Sequence, residues 1–502
     1  MSLRPATGDG RTRLVLGVVL FVLYAWFFQG GGWNQNARFD TVRALVEHGS
    51  ADITDYAANT GDVRVRDGRV FSNKPPGMAL LGVAPYALLH GIESVAGLDS
   101  DHPHVVNANA HVLGFLLSGL PALLLVLLLH AHFRRTGVPP RRALLLCLGF
   151  GAGTLFLPFA GALMSHNLIA FLLFAAWVCV SGDTLGPRHA ALTGAALGLA
   201  AVTEVLVIPL LVPFALAVWL RTRSTTCAGL FAVGPLLALG VYFGFTWFAY
   251  GALFSSSYEA QNPAFQTDGL LFGMIGLPQP IRLYWLSFHP FRGLFYTCPI
   301  LISGLLGLPS AEQLRQGVAR SLLPLCIVGH FVLFNLCFNG WTGGWGVGPR
   351  YLIPIIPFLF LLAPVGVQRF PRLSVTLGAL SVALMLIATS VLVMVPAPNQ
   401  ELRPNNPVTT LVPFFFNGEV SINTQSMLER VPSTGYDEVW ARMVQGTPAT
   451  GEAWDSYNLG ELLGLRGLWS LLPLLGLLLP LGMHLRRIGA PPGAAVPGGV
   501  AP

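Results

Sequence analysis

The stretch Gly77–Ile92, GMALLGVAPYALLHGI, is apolar and only 16 residues long. A helix needs about 20 apolar residues to cross a bilayer. If this stretch spans, the cluster Arg134, Arg135, Arg141 and Arg142 falls outside, against the positive-inside bias. If it lies along the interface as a juxtamembrane helix, that cluster falls inside. Arg188, Arg221 with Arg223, Arg315 with Arg320, Arg369 with Arg372, and Arg486 with Arg487 then fall inside too. The interfacial reading is adopted, and it orients the rest of the chain.

The surrounding sequence is that of a polytopic membrane protein. Of 502 residues, 53% are hydrophobic and 10% charged, where a soluble domain carries about 25% charged residues. The apolar runs are continuous rather than alternating, so an all-α fold is expected and a barrel is not. Expected spans are 14–30, 105–130, 143–161, 166–181, 190–204, 205–220, 227–250, 293–309, 321–338, 351–367, 373–395 and 467–485, about twelve, with both termini cytosolic. The run 190–220 is divided at Thr203-Glu204. The first span follows Arg4, Arg11 and Arg13 but is not followed by a small-residue cleavage site, so it reads as retained. Residues 1–250 form a first transmembrane module with an outer loop at 31–104. Residues 251–487 form a second, with outer loops 251–292, 339–350 and 397–466. The Gly/Pro/Ala-rich tail 488–502 reads as disordered.

Of the 23 Asp and Glu, only Asp9, Asp183 and Glu312 fall inside, which points to work on the outer face. No internal repeat of the inverted-transporter kind is present. No basic, aromatic-interleaved patch suggests a nucleic-acid partner. The six cysteines lie in or beside spans and form neither a disulfide framework nor a zinc pattern.

The first outer loop holds the densest polar chemistry. Asp40 is expected to begin a short amphipathic helix that Gly49 ends, and VRVRDGRVF reads as a hairpin about Asp67-Gly68. FSNKPPGM, residues 71–78, then carries Lys74, the one lysine among 29 lysines and arginines. Pro75-Pro76 would hold it rigidly at the membrane surface. A compact ammonium suits a lipid phosphate, and a snorkelling interfacial cation is the alternative. The use of arginine everywhere else favours the phosphate. Asp40 is a general base, a metal ligand or a helix cap. Asp62, in the turn NTGD, touches sugar hydroxyls or serves the turn.

At these residues the chain resembles the integral-membrane GT-C glycosyltransferases, in particular the protein-O-mannosyltransferase and aminoarabinose-transferase branch. The resemblance covers about residues 14–220 and rests on the first-loop Asp, the hairpin and Lys-Pro-Pro before an apolar helix. It implies a GT-C-like fold and sugar transfer from a polyprenyl-phosphate donor to a lipid, glycan or protein acceptor at the outer face of a bacterial inner membrane. It implies that Lys74 contacts the carrier phosphate and that Asp40 serves the acceptor or a metal. Where the branch often has a second acid, GALMSHNLIAF places His166, which leaves a divalent ion on Asp40 and His166 open and no cofactor certain. Glu204 is a further catalytic candidate, as an ionisable group at a span boundary.

Two later stretches add candidates. FNGWTGGWGVGPRYL puts Arg350 after five glycines, whose N–H groups are expected to be available to an anion. Arg350 would bind phosphate beside Lys74, and Trp341 and Trp345 would stack on a sugar or form an aromatic belt. YWLSFHPFRGLFY places His289 and Arg292 at another outer boundary as substrate contacts. The alternatives to sugar transfer are a transporter or flippase of lipid-linked precursors and a polysaccharide polymerase or ligase.

Overall fold

The computed structural model describes residues 7–259, 269–307, 318–395, 406–423, 425–428 and 455–488. The amphipathic piece YDEVWARMV of the last outer loop and the tail lie outside the described residues, as do Glu312 and Arg315.

The first apolar run folds as α1 (Thr7–Ala25), followed by the short strand β1 (Phe27–Phe28). The outer loop then forms α2 (Trp33–Glu47), the hairpin β2 (Val63–Arg66) and β3 (Arg69–Ser72), and α3 (Gly77–Ala96). The hairpin turns where expected, because Asp67 and Gly68 both take positive φ, 50° and 77°, as a two-residue turn between twisted strands requires.

Helix α3 is 20 residues long, four past the expected stretch, and its length and composition would allow a span. It lies along α2, however. Tyr86 packs edge-on to Phe39, and its hydroxyl donates to Glu47 on α2. Gly82 lies against Val42.

Next come α4 (Pro103–Gly114), α5 (Leu120–Arg135), α6 (Pro140–Gly153), α7 (His166–Ser181), α8 (Pro187–Thr203), α9 (Leu211–Thr222) and α10 (Thr225–Tyr250). A π-bulge at Phe115–Gly119 joins α4 and α5 into one long rod. Glu204 is extended, φ −146° and ψ 117°, between α8 and a 3-10 turn at Val205–Leu210, so the run divides at the expected residue. Helices α8 and α10 touch backbone to backbone: a Cβ on Gly194 would sit 2.0 Å from the Phe231 carbonyl oxygen. Such close approach stabilises helix pairs in lipid, where no hydrophobic force drives them together. The second half contributes α11 (Val318–Cys337), α12 (Pro371–Val391) and α13 (Leu472–Ile488). Strand β4 (Tyr457–Asn458) pairs antiparallel with β1 and ties the two halves together.

By length and composition, five helices among the described residues could cross a membrane, or six if Arg350–Phe360 and Ala363–Arg369, bent by 63°, form one span. The continuous spans expected at 143–161, 293–309 and 351–367 are broken. Helix α6 stops at Thr154, whose hydroxyl donates to the Phe150 carbonyl at 2.7 Å. Residues 154–165 continue as buried turns through Pro158 and Gly161. Pro299 interrupts the second, and the third bends by 63° at Leu361-Leu362. Irregular backbone at this depth is tolerated only when protein buries it. Ser118 donates to the Phe159 carbonyl and Asn167 to that of Phe156. The main apolar core runs from Leu16 and Leu20 on α1 through Phe150 and Phe174 to Phe360.

Candidate active site

Helix α2 begins seven residues earlier than expected, because the Asn36 side chain accepts from the Gly32 N–H at 3.1 Å and closes its first turn. Asp40 therefore lies mid-helix and is not a cap. Arg38 and Asp40 are separated by about 200° around the helix, so α2 presents two polar faces.

On the first face, Arg38 Nη2 donates to Glu204 Oε1 at 3.0 Å and to Ser165 Oγ at 3.3 Å, and its Nε donates to Asn34 at 3.1 Å. Ser165 donates to the same Glu204 oxygen. Lys74 Nζ pairs with Asp62 Oδ2 at 2.9 Å. Arg38 and Lys74 line one small pocket with Thr41, Phe71, Ser72 and Pro75. The chain turns directly from Lys74 through the two prolines into α3, so the ammonium is anchored at a helix start.

The buried turn 154–165 delivers His166 to the first position of α7. Its ring is edge-on to Tyr351, centroids 5.5 Å apart, and its Nε2 is buried without a partner. The charges of Arg350, Arg38 and Lys74 all reach it. The Arg350 guanidinium lies 5.3 Å from the centre of the Tyr351 ring, and its Nη1 approaches Met164 Sδ at 3.3 Å. Tyr258 enters the same surroundings, within the fields of Glu204, Arg38 and Tyr351. Its loop is fastened to the hairpin by the Arg64–Glu259 pair at 3.1 Å and by Arg64 over Tyr250 at 4.1 Å.

The second face of α2 carries Asp40. Its Oδ1 accepts from Asn59 Nδ2 at 3.3 Å, its Oδ2 is buried and unpartnered, and Asn59 also donates to the Met427 carbonyl at 2.8 Å. Burial pushes the Asp40 carboxyl well above the usual range, against the Asn59 hydrogen bond and the Arg43 charge. Arg43 is paired with Glu47 at 2.9 Å and lies over Tyr56 at 4.5 Å. Asp40 does not line the Lys74 pocket.

Several expectations are corrected by this geometry. Asp40 and His166 do not meet a third His, Cys, Asp or Glu among the described residues. The nearest charges to His166 are cations, so the pair does not fit a divalent ion. Glu204 is not a free base, because one oxygen takes both Arg38 and Ser165. Asp62 is the partner of Lys74. Part of the glycine loop's N–H groups are already taken: those of Gly343, Gly346 and Val347 go to the carbonyls of Gly340, Val395 and Val393, and that of Gly344 to the Thr342 hydroxyl. Trp341 stacks on Trp285, centroids 5.1 Å apart, and Trp345 packs against the core. His289 Nδ1 accepts from the Phe291 N–H at 3.1 Å and serves a turn. Arg292 is fully buried and donates to the carbonyls of Gly344, Gly346 and Gly348, out of reach of a substrate. Arg350 and Lys74 both act on His166 through their charges, but Arg350 does not line the Lys74 pocket.

Arg38, Ser165, Tyr258 and Tyr351 were not identified from sequence. Arg38 reads there as an ordinary charge on a polar helix, and its partners Ser165 and Glu204 lie 127 and 166 residues away.

The chain is similar to ArnT from Cupriavidus metallidurans bound to undecaprenyl phosphate, at 17% identity over 82% of this chain and 71% of that chain, TM-score 0.44. It is similar to the archaeal oligosaccharyltransferase AglB from Archaeoglobus fulgidus in complex with an inhibitory peptide and a dolichol-phosphate, at 10% identity over 87% of this chain and 63% of that chain, TM-score 0.45. It is also similar to the S. cerevisiae protein O-mannosyltransferase Pmt1-Pmt2 complex bound to the sugar donor, at 14% identity over 55% of this chain and 39% of that chain, TM-score 0.34. The chain thus spans under two thirds of the archaeal chain and under half of the yeast chain. No family model and no curated protein matches it.

Proposed function

We propose that this chain is a membrane glycosyltransferase that moves a sugar from a polyprenyl-phosphate carrier to a lipid, glycan or protein acceptor at the outer face of the cytoplasmic membrane. The observation that carries this reading is the group formed by Lys74, Arg38 and Arg350 around His166. Lys74 and Arg38 each have one carboxylate, Asp62 and Glu204, while Arg350 forms no ion pair among the described residues. One positive charge is left over. Arg38 Nη1 and Arg350 Nε are buried without hydrogen-bond partners. A buried N–H left unpaired costs about 1–3 kcal/mol, and a phosphodiester anion supplies both the charge and the acceptor oxygens.

In the reaction, the acceptor oxygen or nitrogen attacks the anomeric carbon and the bond from that carbon to the phosphate oxygen breaks. The departing phosphate keeps the bonding electron pair, and the three cations stabilise the charge that develops on it. The acceptor's proton passes to the departing phosphate or to solvent, because Asp40 lies on the other face of α2 and does not line this pocket. Glu204 and Asp62 orient Arg38 and Lys74 without competing for every donor.

The test is turnover of radiolabelled polyprenyl-phosphate sugars by the purified chain in lipid nanodiscs with membrane extract as acceptor. Release of free carrier phosphate by the wild type, with loss in folded Arg38→Gln and Lys74→Ala, is expected. Net movement of an unaltered donor between leaflets, with no release, would instead identify a transporter.

A further inference from the structure

The Gly343–Gly348 loop lies between two guanidiniums. On one side, Arg292 donates to the carbonyls of Gly344, Gly346 and Gly348. On the other, the Arg350 side chain lies so close that a Cβ on Gly343 would sit 3.1 Å from its Cγ, and a Cβ on Gly344 would sit 3.7 Å from its Nη2. Gly343, Gly344 and Gly348 take φ of 75°, 64° and 65°, which only glycine adopts freely. The loop's N–H groups at 346 and 347 are fixed to the chain just after α12. Arg292 has no acidic partner among the described residues and is fully buried, so the aligned carbonyls are what compensate its charge.

We propose that Arg292 is a positioning residue for anion binding: it holds the glycine loop in the shape that aims Arg350, and its own buried charge raises the positive potential there. This rests on the reading that Arg350 meets the carrier phosphate. The carbonyls of Gly344, Gly346 and Gly348 are turned toward Arg292, which engages their negative ends. Three carbonyl contacts demand the planar fork of arginine. A lysine at 292 would supply the charge from one point and lose the simultaneous contacts.

The experiment uses the full chain in nanodiscs and a polyprenyl phosphoglucose probe, a phosphodiester with one charge at every pH tested. Wild-type binding should be flat between pH 6 and 7.5, well below the Arg292 pKa that burial lowers to about 9, and Arg350→Gln should weaken it at least ~10-fold. Arg292→Lys should weaken it ~10-fold and make it pH-dependent, tighter at low pH, because a buried lysine loses its proton at lower pH than an exposed one. A residue needed only for folding would lower the melting temperature without giving the folded fraction that pH dependence. Should Arg292→Lys fail to fold, Gly344→Ala strains the same loop from the Arg350 side and is expected to weaken probe binding similarly. Wild-type affinity at every pH in folded Arg292→Lys, or wild-type affinity in folded Gly344→Ala, overturns the inference and leaves the proposed function standing. Failure of the wild type to bind any polyprenyl phosphodiester overturns both.

Discussion

Lys74 pairs with Asp62 and lines the same pocket as Arg38, so its removal acts on stability and on anion binding together. Lys74→Ala leaves the Asp62 carboxylate, about one tenth exposed, without its cation, at a cost of about 1–3 kcal/mol. Adding Asp62→Asn should restore the melting temperature and leave phosphate binding lost. If the double variant bound the carrier normally, Lys74 would be an interfacial anchor and no more. Asp40 gives a second separable effect. Burial raises its folded pKa, so the penalty for ionising it is absent below about pH 4, the unfolded value, and grows as pH rises toward the folded pKa. Asp40→Asn should therefore raise the melting temperature at pH 9 more than at pH 5. Equal melting shifts at both pH values would show that Asp40 is ionised at little cost. The sequence showed Lys74 because it breaks the chain's habit of arginine. It could not show Arg38, whose role is set by partners just before α7 and just after α8.

At the scale of elements, local chemistry was readable and long-range packing was not. The hairpin was legible in Asp67-Gly68, and the division at Thr203-Glu204 in one charged residue within an apolar run. The buried turns at 154–165 were not. Their residues are as apolar as a span, and their carbonyls are satisfied by N–H groups within the turns and by long-range contacts with Ser118 and Asn167. The glycine loop likewise suggested open N–H groups, because sequence does not reveal that the chain after α12 and Arg292 occupy its backbone. The α8–α10 contact allows a direct check. Gly194→Leu should force the helices apart and destabilise the fold by about 1–3 kcal/mol, read as a lower melting temperature in nanodiscs. Gly240→Leu is the control, since a Cβ there meets nothing within 4 Å. Equal melting of the two variants would refute the packing role.

Across the whole molecule, α7 links two chemically distinct ends. His166 starts it among the site cations, and near its other end Arg221 donates to the carbonyls of Val180 and Gly182. The site and this part of the arginine-rich rim thus lie at opposite ends of one helix, as the charge bias expects if the site faces outward. The interfacial reading of α3 from sequence is what assigns that orientation. In a chain with its native cysteines replaced, Asp101→Cys should react with a membrane-impermeant maleimide on intact cells, and Thr136→Cys only after permeabilisation. The reverse pattern would mean that α3 spans.

The most direct test of the account is binding of a polyprenyl phosphodiester to the purified chain as Lys74, Arg38 and Arg350 are neutralised one at a time. The account predicts that each folded variant loses at least ~10-fold in affinity, and that the losses are not additive because the three cations share one anion. Wild-type affinity in all three folded variants would contradict it, and would remove the phosphate from this site altogether.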